Sequence, residues 1–243
     1  IQDLHLGALE VLRKTGVRFF HPGALEMLEN AGAFLSDGNL VKFPARMVED
    51  AIASVPERII MCDRSGEPAV FLEGRKVNFG TGSDCLNLLD PETGEHRKFT
   101  TQDLIDGYRL CDALDNIHFV MSLGIPADVD PDLTYDVQMA LMLEHTTKPL
   151  VFVTNDAVSC QRAIDMAAVV AGGYDQLREQ QHILLYSEPS SPLQQSETAV
   201  DKLLMMAEYE LPVVHSPWPL MGGTAPITIA SGLVMSMAEI LSG

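Results

Sequence analysis

The densest set of groups able to meet a ligand lies in residues 211–243, LPVVHSPWPLMGGTAPITIASGLVMSMAEILSG. The apolar pair Val213-Val214 suits a buried parallel strand, and the polar and aromatic run from His215 to Pro219 suits the loop after it. Gly222-Gly223-Thr224 follow, and Pro226 is expected to open a helix, because proline at the first helical position loses no needed hydrogen bond. Amides of Gly223 and Thr224 at such a helix start would favour a carboxylate or a phosphate. The same glycines could equally make only a tight turn.

Other chemistry-bearing groups stand after further apolar runs. Thr81, Ser83, Asp84 and Asn87 follow the run at Val77, and Ser122 and Gly124 the run at Ile117. Thr154, Asn155 and Asp156 follow Leu150, while Tyr186, Ser187 and Glu188 follow Ile183. Asn155 or Asp156 could serve only as a helix cap, and Asp84 and Asn87 only as turn residues. A carboxylate following the apolar run Ile183-Leu184-Leu185 is expected to be half buried unless it meets a partner, so Glu188 is harder to explain away. A single histidine in the position of His215 is more often a satisfied structural one. Neither a Ser-His-Asp spacing, a nucleophile elbow, a Walker loop nor HExxH occurs, and in GTGSDC Cys85 stands where GxGxxG needs its last glycine.

The elements that must position these residues come in a regular series. Strands are expected to begin at Val77, Ile117, Leu150, Ile183 and Val213, at intervals of 40, 33, 33 and 30 residues. Helices fill the gaps at 102–114, 133–145, 157–171 and 197–209. Strand and helix alternating at this spacing mark βαβ units and a parallel sheet, with ligands beyond the carboxyl ends of the strands. Periodicity alone leaves two architectures, an open five-stranded sheet or the first part of a (β/α)8 barrel, which takes ~250 residues. A sixth strand would be due just after Gly243, and the chain starts at Ile1 rather than Met, so a trimmed or incomplete barrel is the expectation. Residues 1–76 are expected to form a helical and β-hairpin extension: helices from Asp3 to Lys14, from Pro22 and from Pro44, a hairpin turning at Asp37-Gly38, and strands at 58–61 and 69–72. Residues 77–243 then make the barrel part.

The chain carries a net charge of −18, with 34 acidic and 16 basic residues among 243. Such a surface repels phosphate backbones and anionic membranes, so neither nucleic acid nor a membrane is an expected partner. The four cysteines are scattered and make no CxxC, which disfavours a bound metal and fits a reducing cytoplasm better than a disulfide frame.

Five segments in this order resemble the trimethylamine:corrinoid methyltransferase family: GTGSD, DPETGEHRKFTTQDL, EHTTKPLVF, YSEPSSPL and PLMGGTAPITIASGLVMSMAEIL. The resemblance covers nearly the whole chain. It implies a (β/α)8 barrel of roughly twice this length, here truncated after about five β/α units, and a partner protein that carries the corrinoid, so that no cofactor is bound directly. The founding members carry pyrrolysine on a late strand, while relatives without it demethylate quaternary amines such as glycine betaine. Methyl transfer from a cationic nitrogen needs the cation held, water excluded and one methyl aimed at the docked corrinoid. On this reading Asp84, Glu188 and Trp218 are the groups for an ammonium. His215 or the Gly223 and Thr224 amides would suit a substrate carboxylate, and Asn87, Asn155 and Gly222 are further substrate-binding candidates. The loops carrying Asp84, Glu188 and His215 are expected to line one mouth. Two other readings remain: an unrelated barrel enzyme with a phosphate cup at Gly222-Gly223, and a non-catalytic paralogue. A homo-oligomer is also expected.

Overall fold

The computed structural model describes residues 1–243. In chain order its elements are α1 (Gln2–Lys14), β1 (Val17–Phe19), α2 (Pro22–Asn30), β2 (Phe34–Ser36), β3 (Leu40–Lys42) and α3 (Ala45–Ser54). Then come β4 (Arg58–Cys62), β5 (Pro68–Glu73), β6 (Asn87–Leu89), β7 (His96–Lys98), α4 (Thr101–Ala113), α5 (Thr134–His145) and β8 (Leu150–Phe152). The series ends with α6 (Ala157–Ala171), α7 (Tyr174–Glu179), β9 (Ile183–Ser187), β10 (Gln194–Gln195), α8 (Glu197–Glu208), β11 (Val213–His215) and α9 (Ile229–Ser242). Two compact units are present. One comprises Ile1–Pro56, Ser187–Leu204 and Val214–Gly243, and the other Glu57–Tyr186 and Met205–Val213. These units do not follow a single cut at residue 76.

The first unit is built on a four-stranded sheet in the order β10-β1-β3-β2. Its hairpin turns through the three-residue loop Asp37-Gly38-Asn39, where the sequence puts the turn, with Asp37 and Gly38 both at positive φ. Gly16 ends α1 at φ 81, as its position after the apolar face predicts. Leu12, Val17, Phe19, Val41, Val200 and Ala238 form the core. The N-terminal helices are thus one body with α9 and with β10, which runs parallel to β1. Sequence reading had set them apart, because a two-residue strand made of glutamines carries no hydrophobic period.

In the second unit the hairpins β4-β5 and β6-β7 precede the alternating region. Helix α4 opens with a capping box: Thr100 accepts from the Asp103 amide while the Asp103 carboxylate accepts from the Thr100 amide. Helix α6 opens with another, in which Asp156 caps Ser159, so the plain capping reading of that carboxylate is the right one. Parallel strands stand side by side in sequence order: Gly80 bridges Phe119, Val120 bridges Leu150, β8 pairs with β9, and β9 neighbours β11. No order reversal occurs, and the series does not close on itself. The two earliest members are not regular strands. Met121 donates its amide to Thr81 Oγ1 at 2.7 Å, so a side chain replaces the main chain in that ladder. Val77, where the first strand was expected to begin, is 70% exposed. Behind these strands Leu104, Tyr108, Phe152, Ile164, Leu185 and Met206 pack as one core.

Candidate active site

In the second unit the strand-end group with the most chemistry is Asp84. Its backbone is left-handed, at φ 58, a conformation aspartate tolerates better than most residues and one that gathers at functional sites. Ser122, 1% exposed, donates its hydroxyl to Asp84 Oδ1 at 3.3 Å. The fully buried Tyr108 of α4 donates its own hydroxyl to the Ser122 carbonyl at 3.0 Å. Burial first, and the Asp84 charge second, push the phenols of Tyr108 and Tyr135 up, which keeps both rings neutral beside the carboxylate. A carboxylate whose charge reaches two neutral tyrosines in partly dry surroundings suits a small organic cation. Tyr108 was legible only as an apolar helix-face residue, and Tyr135 stood one residue into a helix with no signal of its own.

A cavity of about 910 Å³ opens between the β6-β7 hairpin and α4, lined by Leu88, Arg97, Phe99, Asp103, Gly107 and Leu110. Its one guanidinium is already engaged: Arg97 donates to Asp90 at 2.6 Å and to both oxygens of Asp103 at 2.7 Å. These bonds hold Asp103 far below the usual carboxylate range and bring Asp90 to about 2. The cluster is a brace for the hairpin. Asn87 opens β6 opposite Lys98 and is exposed, away from Asp84's hydrogen bonds. Asn155 is exposed beside the Asp156 cap.

In the first unit the strand ends differ from expectation at three places. Glu188 is exposed, one residue beyond the end of β9, and the buried polar residue there is Ser187. The anticipated half-burial fails because the strand ends at Ser187 and Glu188 lies in the segment after it. Helix α9 starts at Ile229, capped by Thr228, and not at Pro226. The amides of Gly222 and Gly223 are spent within their own turn, donating to the carbonyls of Ala225 at 2.8 Å and Leu220 at 2.9 Å. An anion cup at these glycines is therefore closed onto itself. Trp218 is 77% exposed on the loop after β11.

His215 ends β11 and is half buried, and burial lowers its imidazole to about 4. Its Nε2 lies 3.2 Å from Gln195 Oε1. Gln195, fully buried on β10, is a residue sequence reading passed over, since a polar run such as SSPLQQSET reads as loop.

The fold is α/β, with polar groups at the ends of sequential parallel strands, the place where such folds bind ligands. The chain belongs to the trimethylamine methyltransferase (MTTB) family, whose model matches residues 1–243. It is 31% identical to trimethylamine methyltransferase MttB of Desulfitobacterium hafniense over 98% of this chain and 48% of that protein. To glycine betaine methyltransferase of the same species it is 26% identical, over 100% of this chain and 50% of that protein. The chain thus spans about half the length of the curated relatives it matches. Its fold is similar to the crystal structure of the Methanosarcina barkeri monomethylamine methyltransferase MtmB. There the TM-score is 0.65 at 11% identity, over 99% of this chain and 49% of that one. A hydroxylamine complex of MtmB gives a TM-score of 0.66, also at 11% identity with the same coverage.

Proposed function

We propose that the whole protein moves a methyl group from a tertiary or quaternary amine, of the trimethylamine or glycine betaine type, to the corrinoid of a partner protein. The observation that carries this reading is Asp84, a carboxylate at a strand end with neutral tyrosines beside it, in a chain of this family. The partner's corrinoid supplies the nucleophile. This chain's residues have only to hold the cation, keep water out and leave one methyl exposed, because a quaternary ammonium, or a tertiary amine already protonated on nitrogen, departs as a neutral amine. Asp84 balances the positive charge, and the Tyr108–Ser122 pair fixes Asp84 in place. Glu188, His215, Trp218, Asn87 and Asn155 remain candidates for substrate contacts, each to be judged by its own substitution. We also read the sequential parallel strands as the first part of a (β/α)8 barrel, a reading supported by their order and by the likeness to MtmB. A phosphorylated substrate at Gly222-Gly223 is not favoured, because those amides already have partners.

The test is demethylation of trimethylamine and of glycine betaine by the protein with a Co(I)-loaded corrinoid protein, together with calorimetric titration of each amine. Wild type should turn over at least one of them. Asp84→Asn should weaken binding of that amine by ~1–3 kcal/mol, as expected when a charged partner is lost, and Glu188→Gln, on an exposed side chain, by under ~1 kcal/mol. Absence of turnover with both amines would leave the non-catalytic paralogue. Unchanged affinity in Asp84→Asn would move the cation elsewhere.

A further inference from the structure

A chain of forced hydrogen bonds through Gln195 settles which ring nitrogen of His215 carries the hydrogen. The Glu239 carbonyl can only accept, and it lies 3.1 Å from one end of the Gln195 amide, so that end must be the nitrogen. The same nitrogen reaches Ser242 Oγ at 3.0 Å, and Ser242 has already given its proton to the Glu239 carbonyl at 2.8 Å. Gln195 therefore turns its oxygen to His215. That oxygen accepts only, so Nε2 of the imidazole must carry the hydrogen. With the ring neutral, Nδ1 is left as a bare lone pair. Gly243 holds the ring from behind: a Cβ there would come within 2.5 Å of His215 Cδ2 and Nε2.

This lone pair has no partner. His215 Nδ1 is shielded from solvent and unbonded, and so is Ser187 Oγ, on a residue only 2% exposed. The two belong to one place. Leu185 donates to the Pro212 carbonyl and Ser216 to the Ser187 carbonyl, bonds that advance in the same direction along both strands. Parallel register then sets Ser187 opposite His215, with both side chains on one face. Two adjacent unsatisfied polar atoms on strand ends cost free energy unless a bound group completes them.

We propose that the ends of β9 and β11 form a subsite for a hydrogen-bond donor, the N–H of a protonated tertiary amine, with His215 Nδ1 as acceptor and Gln195 as the residue that positions it. This rests on the amine reading above and reverses the role expected for His215 from sequence, since a bare lone pair repels a carboxylate. The subsite distinguishes an ammonium that bears one N–H from a quaternary ammonium, which bears none.

Trimethylammonium and tetramethylammonium chlorides are the probes, near in size and differing in that N–H. Titrated into the protein with ¹⁵N-labelled histidine, trimethylammonium should bind about tenfold or more tighter, the ratio expected for one charged hydrogen bond, and should shift the His215 Nδ1 resonance. His215→Phe should bring the two affinities together. His215→Asn, whose amide oxygen can stand where Nδ1 stood, should restore part of the preference. Gln195→Leu frees the tautomer and should reduce the preference while both cations still bind. Equal binding of both cations by wild type with an unmoved Nδ1 signal would mean that the subsite holds only an internal water, and would overturn the proposal while leaving the amine reading standing. Binding of neither cation would remove both.

Discussion

At the scale of single residues, charge is managed by pairing. Arg97 spends its guanidinium on Asp90 and Asp103, and Asp103 also closes the capping box of α4. Both carboxylates have folded-state values depressed below the ~3.9 of an unfolded aspartate. A depressed group stabilises fully above its unfolded value, and the contribution is lost as pH falls through the folded one. Acid loss is therefore expected between about pH 4 and about 2, the value for Asp90, with Asp103 titrating lower still. Asp103→Ala should cost ~1 kcal/mol at pH 7 through the cap. In urea titrations its deficit against wild type should narrow steadily below pH 4. A deficit constant down to pH 2 would mean that the carboxylate's charge contributes nothing.

At the scale of elements, glycine decides where the backbone can turn, and two positions separate conformation from space. Gly16 sits at φ 81 with the Val41 carbonyl oxygen 2.5 Å from where a Cβ would stand. Gly38 has almost the same φ, 79, and nothing within 4 Å. Gly38→Ala should therefore report backbone strain alone, ~1 kcal/mol. Gly16→Ala adds a clash with main chain that cannot swing aside, and a total loss of ~2–4 kcal/mol is expected. Denaturation midpoints of the two variants give the comparison, and equal losses would show that α1 and β3 part easily. The elements that carry the site share this dependence on neighbours. Thr81 bonds Met121 only because the two earliest strand segments lie side by side.

At the scale of the whole molecule, the excess of acid is the dominant feature. A net charge of −18 on 243 residues repels itself, and added salt screens that repulsion within a Debye length of ~10 Å at 0.1 M. Raising ionic strength from ~10 to ~150 mM should lift the melting temperature by about 2–4 °C, the change for ~1 kcal/mol in a chain of this size. A fall in melting temperature would mean that exposed ion pairs outweigh the general repulsion. No helix is long and apolar enough to cross a membrane. Each of the two units has its own buried cluster.

Local signals determined much of this protein from sequence alone. The capping pair Thr100 and Asp103, the turn at Asp37-Gly38, the stop at Gly16 and helix 157–171 all follow from chemistry within a few residues, which the chain carries wherever it goes. The strands at Leu150, Ile183 and Val213 followed from apolar runs at βαβ spacing. Tertiary structure alone decided the rest. The start at Val77 dissolved into single bridges because Thr81's side chain entered the ladder. Glu188 fell outward because β9 ends one residue before it, at the buried Ser187. The Gly222-Gly223 amides closed on their own turn, and Gln195, forty-four residues from Glu239, came to set the state of His215. Whether a donor, a carboxylate or an imidazole is free depends on which partner from a distant part of the chain reaches it first. That is a matter of three-dimensional adjacency, which no local pattern of residues encodes.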